Sequence, residues 1–183
     1  MLILFVVLVA AVVAWAIWTF NGLVRLRNQS RTAWADIDVQ LTRRHDLVPM
    51  LVESVKAYAG HEKTVLEDVA ALRSQAMALK SPQQLGKVEA DLEQGIGRLL
   101  MLQEAYPDLK ANQNFAQLQS GLVDVEDHLQ YARRFYNGAV RDLNDGIQKF
   151  PASLVANAFG FKPAEFFHAG DDARVAPKVE GIA

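Results

Sequence analysis

The sequence predicts an all-α protein, an N-terminal transmembrane helix continuing into an antiparallel up-and-down helical bundle of long helices. Three observations predict it. Residues 2–20, LILFVVLVAAVVAWAIWTF, carry no charge and a single hydroxyl, Thr19. Beyond them, apolar residues recur at steps of three and four, the period of one helix face. No strand-like alternation of useful length appears, and short loops between long amphipathic helices make neighbours antiparallel.

The apolar run comes first. A helix needs about 20 apolar residues to cross roughly 30 Å of hydrocarbon, and this run supplies that length. Trp15, Trp18 and Phe20 gather at its inner end, where amphipathic rings favour the interface. A cleaved signal peptide is the competing reading, since Ala14-Trp15-Ala16 loosely fits a small-x-small site. Against it stand the missing basic n-region, the long apolar stretch and the tryptophan inside that site. Arg25, Arg27 and Arg31 follow the span and no basic side chain precedes it. The positive-inside rule then puts the N-terminus outside and the bundle in the cytoplasm of a single-pass protein of the cell membrane.

The first helix carries the stripe Trp34, Ile37, Leu41, Val48, Val52, Val55, Ala59, continued by Leu66, Val69 and Leu72 towards Leu79. No strong stop signal separates Asn21 from the anchor, so the membrane helix runs straight into it. Ser81-Pro82 starts the next helix, with a hydroxyl cap and a proline at the first helical position. Its stripe runs Leu85, Val88, Leu92, Ile96, Leu99, Leu102 and stops near Pro107; Gly95 and Gly97 mark close helix approach. Asn112 or Asn114 caps a third long helix, whose stripe from Phe115 through Leu122, Leu129, Tyr136 and Leu143 to Phe150 is the cleanest in the chain. After Pro151 comes a short apolar segment, ASLVANAFGF. The domains expected are an anchor over 1–20, a bundle over 21–168 and a disordered, polar tail over 169–183.

Composition and motifs exclude several chemistries. A net charge of −2 argues against nucleic-acid binding. Without cysteine there is no disulfide, thiolate metal site or thiol nucleophile. HEKTV, from His61, begins like the zinc motif H-E-x-x-H, but Val65 stands where the second imidazole must be. Phosphate loops and a nucleophile elbow are absent as well. No catalytic, cofactor-binding or metal-binding residue is assigned, no cofactor is expected, and nothing reads as an enzyme.

Polar residues beside the apolar stripes say more. Glu126, Arg133, Asn137 and Asn144 flank the stripe of the third helix, and His45 shares a face with Leu41 and Val52. An ionised group near a bundle core must be paired. A structural polar cluster of His45, Asp46, Glu126, Arg133 and Asn137 is therefore expected, with Glu126 and Arg133 finding partners that include His45 or Asp46. Its role is to set helix register; a ligand or proton site is the alternative. Two helix joints are expected. Pro49 has no N–H for the carbonyl of His45, so the helix bends there or ends a turn earlier, with Arg43, Arg44 and Asp46 satisfying the loosened turn. Gly60 marks a second joint. In FGFKPAEFFH, Phe159, Phe161, Phe166 and Phe167 either dock as core or lie on the membrane; the absence of a basic polar face favours docking.

Four stretches in order, from FNGLVRLRNQSRTAWADIDVQLTRRHDLVPMLVESVKAYAGHEKTVLEDVAALRSQA through YPDLKANQNFAQLQ and RRFYNGAVRDLN to FPASLVANAFGF, resemble the LemA family over about residues 20–167. Phe20 and His45 depart from it, where the family commonly has tyrosine. The resemblance implies a bacterial single-pass membrane protein with an antiparallel helical bundle and no catalytic residues to carry over. It also implies an envelope partner by association, because family members are often encoded near a membrane metalloprotease.

The expected function is a self-associating, coiled-coil-like scaffold of the bacterial cell envelope. The alternatives are an adaptor recruiting another envelope protein, such as a membrane protease, and a ligand receptor using the polar cluster. Expected partners are membrane lipid through residues 2–20 and either further copies of the chain or another membrane protein; nucleic acid is not among them.

Overall fold

The structure is a computed structural model that describes residues 1–168; the expected disordered tail lies outside them. The described residues form six α-helices and one 3₁₀ turn, without strands. In order these are α1 (Leu2–Tyr58), α2 (Lys63–Ala78), α3 (Pro82–Met101), the 3₁₀ turn Leu102–Glu104, α4 (Pro107–Lys110), α5 (Gln113–Gln148) and α6 (Ala152–Ala158). The fold is the all-α bundle the periodicity predicts. It divides into two compact units, one of Met1–Val39 with Gln130–Phe166, the other of Gln40–Leu129 with Phe167 and His168.

α1 passes from the apolar run into the bundle without a break, as the missing stop signal predicts. It is long and apolar enough to cross a membrane. The first helix does not reach Leu79, however. It stops at Tyr58, turns through Ala59 to Glu62, and restarts as α2. Glycine at 60 weakens a helix, while Ala59, fully buried, pins the corner. The break falls at the Gly60 joint; at Pro49 the helix continues.

In the first unit α1 runs antiparallel to α5. Leu23 and Leu26 approach Gly146, and the Trp34 and Tyr136 rings meet at 5.2 Å between centroids, tilted by 58°. Rising numbers on one helix meet falling numbers on the other. Leu23, Leu143, Ile147, Val155, Ala156 and Phe161 form the core here. The chain after α6 is strapped to α5 by polar groups. The Asn144 amide accepts from Ala164 N–H at 2.8 Å and donates to its carbonyl at 3.0 Å, and Tyr136 O–H donates to the Glu165 carbonyl at 2.8 Å. Burial and then the Glu165 charge raise the Tyr136 phenol above its ordinary value, since both disfavour phenolate.

The second unit packs the rest of α1 against α2, α3 and α5 around Val48, Leu51, Val55, Val69, Leu92, Leu99, Leu109 and Phe115. Here too α5 is antiparallel to α1, with Arg43 on Asp124 at 2.7 Å and Leu47 beside Gly121. α3 starts at Ser81-Pro82 with proline in its first turn as expected, but the Ser81 hydroxyl makes no cap bond to the helix. Of its two glycines only Gly95 marks a close approach: a Cβ there would lie 2.8 Å from Val69 Cγ2, whereas Gly97 faces open space. Asn112, not Asn114, caps α5, its Oδ1 accepting from Phe115 N–H at 3.0 Å. Phe167 is buried, and the chain beyond it crosses α3 at Gly86, where any Cβ would collide with the His168 carbonyl.

Candidate functional site

The second unit holds a buried ionic cluster, and the heptad-like stripes explain where it sits. Arg44 occupies the stripe of α1 between Leu41 and Val48, three and four residues away. Glu89 occupies the stripe of α3 between Leu85 and Leu92 in the same way. Each charge therefore faces inward, and each needs the other, because burial of an unpaired charge is prohibitive. The side chains are 3% and 0% exposed, and Arg44 Nη1 donates to Glu89 Oε2 at 3.2 Å.

A second carboxylate, Glu126 of α5, accepts from Arg44 Nη2, and Glu93 approaches the same nitrogen at 4.0 Å from a half-exposed position. His45 Nε2 lies 2.6 Å from the other oxygen of Glu89, so that Glu89 accepts at both oxygens. One arginine thus ties α1 to α3 and α5. Charge-assisted bonds of this kind add directional geometry as well as energy.

Arg73 brings in α2. Its Nε–H donates to the backbone carbonyl of His45 at 2.6 Å. That is the carbonyl which Pro49, lacking an N–H four residues on, leaves unserved in α1. A helix remote in sequence satisfies it, where the expectation was Arg43, Arg44 or Asp46. Arg43 reaches out to Asp124 and Asp46 is exposed. Arg73→Met should cost about 1–3 kcal/mol by orphaning a buried acceptor. In a Pro49→Ala background the restored backbone N–H serves the carbonyl, and the same change should cost much less. Thermal melts of the four proteins read this coupling, and equal losses in both backgrounds would sink the assignment.

Of the residues expected in the cluster, the structure brings His45 and Glu126 to the same arginine–glutamate pair. Asp46 turns to solvent because it lies 100° round the helix from His45. Arg133 and Asn137 belong to the first unit, where they are half-buried. Glu126 accepts from Arg44, a partner outside the expected set. Sequence reasoning missed Arg44, Glu89 and Arg73, although the first two were legible as charges inside apolar stripes.

The cluster's polar groups are turned on one another, with Arg44 on the carboxylates of Glu89 and Glu126 and Arg73 on the carbonyl of His45. Among the described residues no group of three or more histidine, aspartate or glutamate side chains is placed to hold a metal ion. The di-iron spacing E-x-x-H does occur, from Glu165 to His168, but outside any helix, where that spacing does not set two ligands on one face.

The LemA family model matches residues 33–180. The chain is similar to magnetosome protein MamQ 2 of Paramagnetospirillum magneticum, 24% identical over 208 residues that cover 98% of this chain and 76% of the relative. MamQ of Magnetospirillum gryphiswaldense is 23% identical with the same coverage. Protein LemA of Metamycoplasma hominis is 26% identical over 85% of this chain and 71% of its own.

Proposed function

This chain belongs to the LemA family, and on that premise we propose that it is a membrane-anchored scaffold of the bacterial envelope, self-associating through its bundle and without catalytic activity. The observation that carries the anchor is the contrast between composition and burial along α1. Its most apolar 18-residue window has a mean hydropathy of 2.7, yet only 6% of it is buried. Each large apolar side chain left in water forgoes about 1.5–3 kcal/mol. A core helix of a soluble domain would be covered by its neighbours; this one is left bare, and a bilayer is the solvent that suits it. The similarity to the MamQ proteins takes in this segment, since it covers 98% of the chain. Arg25, Arg27 and Arg31 beyond the span support a cytoplasmic bundle.

Self-association is supported by α5. Tyr131 and Phe135, one turn apart, are 70% and 52% exposed, and Arg134 lies 4.7 Å over the Tyr131 ring. Exposed tyrosine, phenylalanine and arginine together are the composition of an interface core. The ionic cluster of the second unit supports the scaffold reading from inside, by holding the helices in register.

Photocrosslinkers placed singly at Gln119 and Gln130 in living cells test this. A ladder of self-adducts is expected. A discrete adduct with a different envelope protein would replace the scaffold by an adaptor, and no adduct from either position would remove both.

A further inference from the structure

We propose that α6 and its flanks form a second membrane contact, a foot in the headgroup layer beside the α1 anchor that holds an anionic phospholipid against it. It rests on the reading of α1 as an anchor and goes beyond it. The first observation is position. Val155 and Ala156 of α6 are buried in one core with Trp15, Ala16, Phe20 and Leu23, and Phe159 meets Phe20 at 4.8 Å between ring centroids. α6 is thus fixed at the level where α1 changes from apolar residues to its first arginine, which is the level of the membrane interface.

The second observation is what α6 leaves uncovered. Phe150, Leu154 and Phe159 are 81%, 60% and 63% exposed, and Trp18 of α1 is 76% exposed. Docking as core, expected for the aromatic segment, holds for Phe161 and Phe167, 8% and 1% exposed, and fails for Phe159. Large apolar side chains grouped at one end of a unit mark a contact surface. This group is continuous with the span, and a bilayer surrounding α1 there meets it.

Charge selects the lipid. A groove of about 590 Å³ is lined by Trp15, Trp18, Thr19, Arg25, Pro151 and Ala152 among others, and Arg25 is the charged residue of its lining. From Asn21 to Ala35, α1 carries Arg25, Arg27 and Arg31 and no acidic residue. Lys149 and Lys162 stand on either side of α6 in the chain; Lys149 lies 3.6 Å from Asp145. A guanidinium sharing one groove with two tryptophans suits a lipid phosphate with its acyl chains directed along α1.

The chain has no cysteine, so single-cysteine variants label cleanly. Full-length protein carrying Leu154→Cys, Phe159→Cys, Val9→Cys or Gln119→Cys, each with a nitroxide, is placed in vesicles of phosphatidylcholine and phosphatidylglycerol. Collisions with oxygen report lipid, and those with a water-soluble nickel chelate report water. Labels at 154 and 159 should fall at interfacial depth, between the buried label at 9 and the aqueous one at 119. Aqueous labels at 154 and 159 with a lipid-buried label at 9 would overturn the foot and leave the anchor standing. An aqueous label at 9 would remove both. Strong spin–spin broadening at 154 with little access to either collider would show a second copy on this face, and would equally overturn the lipid contact. For the headgroup, brominated phosphatidylglycerol should be enriched about fivefold over brominated phosphatidylcholine near Trp15 and Trp18, judged by quenching. Arg25→Gln should bring the two lipids to parity; equal quenching in the unaltered protein would refute the anionic preference.

Discussion

Glu89→Ala should lower the stability of the folded chain by about 3–5 kcal/mol, the usual loss when one partner of a buried ion pair is removed. Glu89 is fully buried and accepts from Arg44 at one oxygen and faces His45 at the other. Without it, Arg44, 3% exposed, keeps the carboxylate of Glu126 and the more distant Glu93. Arg44 and His45 each lose their contact with Glu89 at once. In detergent-solubilised full-length protein the expected change is a melting temperature lower by roughly 6–20 °C. A variant melting with the parent would show that the pair contributes nothing to stability.

A companion experiment separates stability from register. Replacing Arg44, His45 and Glu89 together by apolar residues of similar volume should recover most of the loss, since such replacements are commonly neutral or stabilising. Glu126, 22% exposed, can turn to water once Arg44 is gone. If the cluster sets register, the triple variant melts normally but shows altered distances between labels on α1 and α5. Unaltered distances would reject a register role.

Phe115→Ala should cost a similar amount, about 3–5 kcal/mol, through lost burial and the cavity left behind. Phe115 is 1% exposed and belongs to the core that includes Val55, Ala59, Leu99 and Leu109. Its backbone N–H is held by Asn112 Oδ1 at 3.0 Å, and the same amide donates to Tyr58 O–H at 2.9 Å. The start of α5 is therefore fixed to the end of α1 by one polar side chain and one aromatic ring. Met101→Ala, at a position 65% exposed, is the matched control and should change stability by about 0.5 kcal/mol or less. Comparable losses in both variants would mean that Phe115 is not the packing centre of this end.

Much of the architecture was legible from local pattern. Apolar spacing marked α3 and α5, Ser81-Pro82 and the pair Asn112 or Asn114 marked their starts, and the uncharged run marked the part of α1 long and apolar enough to cross a membrane. The same spacing misled between Val55 and Leu79, where α1 and α2 continue one stripe although the chain turns at Gly60. Periodicity reports which face of a segment is buried, and two helices that both bury a face against common neighbours keep the pattern across a corner.

The sequence by itself determined the all-α class, the long helices α3 and α5, the uncharged apolar stretch and the family. Each depends on neighbours within a few turns of the same chain. Only the tertiary structure decided that Arg44 pairs with Glu89 and Glu126, that Arg73 serves the carbonyl left open by Pro49, and that Phe161 is buried while Phe159 is not. Those outcomes depend on the rotation and axial register of helices far apart along the chain, 45 residues between Arg44 and Glu89. A stripe of apolar residues states that a charge within it must be neutralised; the packing of the other helices selects the group that does so.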